Sequence, residues 1–160
     1  MRWNLCQERQ PLGFGYLESE GGIGGLIGKS TMSDIAILCI DDEIVILESL
    51  KEQLVRCFGN KYLYETAESA EEAWEVINEL SEDHVEILII VSDWLMPGMK
   101  GDEFLIQVHQ KFPQIVKVML TGQADESAIE RVQKEANLYR CLHKPWSEQE
   151  LAQTIISGLQ

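Results

Sequence analysis

Basic residues are the first shortage in this chain: 13 Lys and Arg stand against 27 Asp and Glu, a formal net charge of −14 over 160 residues. Nucleic-acid backbones attract clustered cations, so this balance argues against a DNA- or RNA-binding surface. Long apolar runs are missing too. No stretch approaches the roughly 18 residues that span a bilayer, and the N-terminus has no charged segment leading into a continuous apolar one. Neither a membrane span nor a secretory leader is expected. Cysteine is sparse, and Cys6, Cys39, Cys57 and Cys141 show no C-x-x-C spacing. Cys39 and Cys141 fall inside apolar runs, where a thiol packs as a small hydrophobe. The expectation is a reducing cytoplasm and no disulfide. His84, His109 and His143 lack ligand spacing, which excludes a histidine metal site.

The chain divides near residue 32. Residues 1–31 carry neither a helical nor a strand period, and Gly-Gly-Ile-Gly-Gly-Leu-Ile-Gly at 21–28 would cost much backbone entropy to order. This segment is expected to be a flexible extension, with Met32 as the natural start of the chain and 33–160 as the folded domain. Gly28-Lys29-Ser30 resembles the end of a phosphate-cradling loop. That motif needs a glycine five positions earlier, where Ile23 stands.

From residue 33 onward, strand and helix patterns alternate five times, the signature of a parallel sheet covered on both faces. Strands are expected at Ile35 to Ile40, Tyr62 to Thr66, Glu86 to Val91, Ile115 to Leu120 and Leu138 to Leu142. Leu47, Leu50, Leu54 and Phe58 step along one face of a first helix that Gly59 stops. Ser69 and Glu72 have capping-box spacing for a second, and Ser147 and Glu150 for the last. Gly101 to Phe112 forms the third, closed by Pro113, and Ala128, Ile129, Val132 and Ala136 mark the fourth.

Three fragments carry chemistry: Ile-Asp-Asp-Glu at 40–43, Ser-Asp-Trp-Leu-Met-Pro-Gly at 92–98 and His-Lys-Pro-Trp at 143–146. Each follows an apolar strand, and ligands of such sheets collect beyond the carboxyl ends of the strands. Asp41, Asp42, Asp93, Thr121 and Lys144 therefore converge on one edge. Hard carboxylate oxygens suit Mg²⁺, which takes one or two of them together with waters and phosphoryl oxygens. A carboxylate attacking a phosphoryl group depends on positioning and charge neutralisation. Mg²⁺ and Lys144 supply the neutralisation, Thr121 supplies a hydroxyl donor, and the product is an acyl phosphate on Asp93. Asp41 and Asp42 taken alone would also suit the N-terminus of the first helix, where negative charge is favoured. The coincidence of three strand ends favours a shared site.

These residues, in this order, resemble the response-regulator receiver domain of two-component signalling from about residue 34 to 160. The resemblance implies a flavodoxin-like (βα)5 fold, CheY-like, with strand order 2-1-3-4-5. It implies Asp93 as phosphoacceptor, charged from a phosphohistidine on a sensor histidine kinase or phosphotransfer protein. It also implies Mg²⁺ held by Asp42, Asp93 and the backbone carbonyl of Leu95, with Asp41 assisting through water. Such a domain is a phosphorylation-switched signalling module rather than an enzyme with its own substrate. One position departs from the family pattern: three residues before Lys144, where an aromatic switch residue is usual, stands Cys141. Strand alternation puts Tyr139 on the same face, so Thr121, Tyr139 and Cys141 are the switch candidates, with simple helix packing as the other reading of Tyr139.

The last helix is expected to run to Gln160, so output is expected in another protein or in a part outside these residues. Two other functions are weighed. A phosphorylation-independent interaction module would keep the fold but usually lose part of the acidic set. An aspartyl-phosphate phosphatase would need a second aspartate two positions after the nucleophile, where Leu95 stands.

Overall fold

In the computed structural model, residues 34–123 and 126–160 are described. The expected extension at 1–31 and the Met32 start lie outside them. Five parallel strands form one sheet in the order β2-β1-β3-β4-β5: β1 Ile35–Ile40, β2 Leu63–Ala67, β3 Glu86–Asp93, β4 Val116–Thr121 and β5 Arg140–His143. The helices that follow them are α1 Ile44–Phe58, α2 Ala70–Glu82, α3 Gly101–Lys111, α4 Glu126–Ala136 and α5 Glu148–Gly158.

The all-apolar β1 is buried along nearly its whole length because helices cover both sides of it. Ala36, Leu38 and Ile40 point into a core shared with α2, α3 and α4, where Phe104 is fully buried and meets Trp74 edge to face. Ile37 and Cys39 point into a second core with Leu47, Leu50 and Leu54 of α1 and Leu151 and Ile155 of α5. Burial pushes the Cys39 thiol up to about 12, so it is a packing group.

Local chemistry sets the helix ends. Gly59 takes φ +58 after α1, a conformation that favours glycine. Ser69 accepts the Glu72 N–H at the start of α2, although the Glu72 carboxylate returns to the Glu68 N–H instead of closing a box on Ser69. Ser147 and Glu150 make the full reciprocal box on α5.

β1 has its expected limits, and the other four strands are shifted. Ser92 and Asp93 belong to β3, because they keep their ladder partners Met119 and Leu120 on β4. β2 and β4 each begin and end one residue later than expected. Tyr62 is spent on packing against Phe58, and Thr121 still pairs with His143. β5 starts at Arg140 because Leu138 folds back to close α4, its N–H donating to the Val132 carbonyl, after Asn137 at φ +54. Cys39 and Cys141 are free, but Cys57 is disulfide-bonded. The partner of Cys57 lies outside the described residues.

Among the described residues, no helix is long and apolar enough to cross a membrane. Among the described residues, Phe104 is the largest fully buried side chain. Phe104→Ala is expected to cost about 3–5 kcal/mol of stability, from lost transfer energy plus the cavity left behind. Urea denaturation of the two proteins checks this.

Candidate functional site

β1 and β3 are neighbours at the centre of the sheet, so their carboxyl ends deliver Asp41 and Asp93 side by side. Asp41 stays in place because its own N–H donates to the Ala67 carbonyl at the end of β2, while its Oδ1 accepts the Glu43 N–H at the entrance to α1. Asp41 is fully buried and Asp93 only 5% exposed; Asp42, next along the chain, is exposed. One carboxylate oxygen from each of the three lies within 4.8 Å of the others. Crowding of this kind disfavours the charged forms unless cations share the space.

Lys144 supplies one cation. Its Nζ donates to Asp41 Oδ2 at 2.8 Å and lies 3.0 Å from Asp93 Oδ1. The backbone delivers it there: the Lys144 N–H donates to the Thr121 carbonyl, extending the β4–β5 ladder past His143. Burial by itself would lower the Lys144 pKa, but the hydrogen bonds to Asp41 and Asp93 outweigh it and the ammonium is held above its ordinary value. Asp93 goes the other way. Burial raises its pKa, Lys144 opposes the rise, and Asp41 and Asp42 add to it, leaving the carboxyl at about 6. The pair is therefore short of positive charge. A divalent cation with a preference for oxygen fits such a donor set.

The main chain around Asp93 is tightly fixed. The Ser92 hydroxyl donates to the Asp93 carbonyl, and the Trp94 N–H donates to Leu120 on β4. The Gly101 N–H donates to the Trp94 carbonyl, and a Cβ at Gly101 would collide with the Asp93 carbonyl oxygen. Gly101 reads in sequence only as a helix start. Its close approach to the backbone of Asp93 is a tertiary requirement that periodicity does not carry.

Thr121 is 1% exposed at the end of β4, and its Oγ1 accepts the Gln123 N–H. Leu95, two residues past Asp93, lies outside the strand with its side chain exposed. Tyr139 lies just before β5, its N–H donating to the Lys117 carbonyl of β4. Its hydroxyl donates to Ser157 on α5 at 2.6 Å, and Arg140 sits over its ring. Cys141 packs toward the other core, the one that contains Met119 and Val132. Trp94 has an indole N–H that is buried with no partner among the described residues, and Lys100 lies over its ring.

Residues 37–156 match the family model for the response regulator receiver domain. The hydrogenase transcriptional regulatory protein HoxA of Cupriavidus necator is 30% identical over 131 residues, covering 81% of this chain and 25% of that protein. The chain thus spans about a quarter of the length of that regulator. A chemotaxis protein CheY homolog of Campylobacter jejuni is 26% identical, over 74% of this chain and 88% of its own length. Among solved structures, the signal receiver domain of an HD domain-containing protein from Pseudomonas fluorescens superposes with a TM-score of 0.70 at 30% identity, covering 78% of this chain and 93% of that one. The strand order, the three clustered carboxylates, two of them bridged by a lysine, and the extent of the match converge: the chain belongs to the response regulator receiver family.

Proposed function

We propose that this chain is a phosphoacceptor receiver whose Asp93 takes a phosphoryl group from a phosphohistidine of a sensor histidine kinase or phosphotransfer protein. The observation that carries the reading is the Lys144 ammonium lying between Asp41 and Asp93, with Asp42 completing a carboxylate set. An Asp93 carboxylate oxygen attacks phosphorus, a P–O bond forms, and the P–N bond to the donor imidazole breaks with its electron pair leaving on nitrogen. Lys144 stays beside Asp93 to balance the charge of the phosphoryl oxygens, and the Thr121 hydroxyl donates to one of them. Asp41 orients Lys144 and, through water, the metal side of the site. Asp42, Asp93 and the Leu95 carbonyl would hold Mg²⁺, which would supply charge neutralisation there. The phosphorylated face then changes its affinity for an output partner, whether a separate protein or a further part of a longer chain. Residues 33–160 act as one receiver module behind an upstream segment at 1–31, in the cytoplasm, where a phosphorylated kinase is available and where the disulfide at Cys57 is an exception to the reducing setting.

Intact mass after incubation with acetyl phosphate and Mg²⁺ tests this reading. The wild type is expected to gain one alkali-labile phosphoryl group and Asp93→Asn none; a wild type that gains nothing, or an Asn variant that gains as much, overturns it.

Two consequences concern stability. Mg²⁺ binds the folded acidic set, so at a concentration 100 times its dissociation constant it adds about 2.7 kcal/mol, read as a higher melting temperature. Asp42→Asn relieves part of the repulsion, so the melting temperature in chelator is expected to rise by about 2–4 °C while the Mg²⁺ effect shrinks. The second is a pH dependence. Asp93 holds its proton more tightly folded, at about 6, than in its ordinary state at 3.8. Its stabilising contribution is complete below about pH 4 and lost as pH rises through 6. In chelator, the stability of Asp93→Asn relative to wild type should therefore increase from pH 4 to pH 7, by on the order of 1–3 kcal/mol. Urea titrations at the two pH values read the difference.

A further inference from the structure

Lys144 leaves the sheet from its edge. β5 has four residues and, among the described residues, pairs only with β4, so a single ladder holds it. The Lys144 N–H makes a last bond beyond that ladder, to the Thr121 carbonyl, and Pro145 has no N–H with which to continue it. β1 and β3, which deliver Asp41 and Asp93, are paired on both sides. The ammonium nevertheless meets both acids closely, at 2.8 and 3.0 Å. A contact outside the sheet has to fix the segment that carries it.

That contact comes from α1. Two residues past Lys144, the partly buried Trp146 packs against the core that holds Leu50, Leu54 and Leu151. Its indole N–H donates to Gln53 Oε1 on α1 at 2.8 Å. Two residues further on, Glu148 accepts a forked bond from Arg56, with Nη2 at 2.9 Å and Nε at 3.2 Å. The Arg56 side chain is 58% exposed, and an ion pair open to water adds little. The Gln53–Trp146 bond is better shielded, so an indole N–H without its acceptor there would be short of water as well. α1 is also the helix that leaves from Asp41, whose Oδ1 accepts the Glu43 N–H at its entrance. One helix thus holds both the acid and the segment of the lysine that bonds it.

We propose that Gln53 and Trp146 are positioning residues that hold the Lys144 ammonium between Asp41 and Asp93, a role that rests on Asp93 being the phosphoacceptor. Neither touches the reacting atoms. Without their bond the 145–147 segment is free to move off α1. The lysine at its start then loses the fixed approach that neutralising a transferring phosphoryl group requires. Asp42, Asp93 and the Leu95 carbonyl, the proposed Mg²⁺ ligands, lie outside this segment, so the loss falls on phosphoryl transfer and not on cation binding.

The test compares wild type, Trp146→Phe, Gln53→Leu and Gln53→Glu by two readouts. Phosphoryl uptake at saturating acetyl phosphate and Mg²⁺ is followed by intact mass, and the Mg²⁺ dissociation constant is measured by calorimetric titration. Phenylalanine keeps an aromatic ring in the core without the N–H, leucine removes the acceptor, and glutamate retains one. Trp146→Phe and Gln53→Leu are expected to take up phosphoryl roughly three- to tenfold more slowly than wild type. Their Mg²⁺ dissociation constants should be no higher than that of wild type, and Gln53→Glu should return close to the wild-type rate. A bond that only stabilises the fold would lower the melting temperature of both variants and leave their saturated rates unchanged, which overturns the inference while wild type still phosphorylates. Parallel weakening of Mg²⁺ binding and uptake would mark a general loosening of the site and overturns it as well. A wild type that takes up no phosphoryl overturns this role and the phosphoacceptor reading together.

Discussion

The Lys144 ammonium, set between the carboxylates of Asp41 and Asp93, is the interaction on which the site depends. Two largely buried acids on adjacent strands would repel each other and disfavour the folded state if they faced one another alone. The lysine relieves that conflict by bonding both, and it reaches them because the β5 backbone continues its pairing with Thr121 for one residue past the strand. The relief is partial. Asp93 still keeps its proton up to about pH 6, and the remaining shortage of positive charge leaves the cluster suited to an oxygen-seeking cation.

Everything else in the centre of the molecule serves to hold those strand ends in register. β1 and β3 are buried on both faces, so their apolar side chains fix the depth and tilt of the strands from which Asp41 and Asp93 project. The turn after β3 is locked from two sides, by the Trp94 N–H on Leu120 and by the Gly101 N–H on the Trp94 carbonyl. A parallel sheet brings all its carboxyl ends to one edge, so residues more than 100 positions apart, such as Asp41 and Lys144, meet without any long-range signal in the chain.

Anchorage is uneven around this centre. α1 and α3 are pinned by large apolar side chains, while α4 relies on small ones and on charge pairing with α3. An element held by small side chains and an ion pair shifts at low cost, whereas one held by a dense core does not. Among the described residues, the helix that follows Thr121 is thus the one held by the smallest buried side chains.

Much of this architecture is legible in the linear chain. The fivefold alternation of apolar strand runs with helical stripes specifies the parallel sheet, and Asp41, Asp42, Asp93, Thr121 and Lys144 stand out because they sit where those runs end. Periodicity and strand-end position are local properties, so a linear sequence carries them in full. Other features are distances between residues far apart in the chain, and only the tertiary structure decided them. Asp93 lies within β3, and Tyr139 outside β5 and bonded to α5, because ladder partners on neighbouring strands and the turn closing α4 determine where a strand begins and stops. The crowding of Gly101 against Asp93 and the Asp102–Arg131 pair are likewise invisible to spacing rules. Each depends on how two elements pack in space, and no pattern along one element encodes the approach of another.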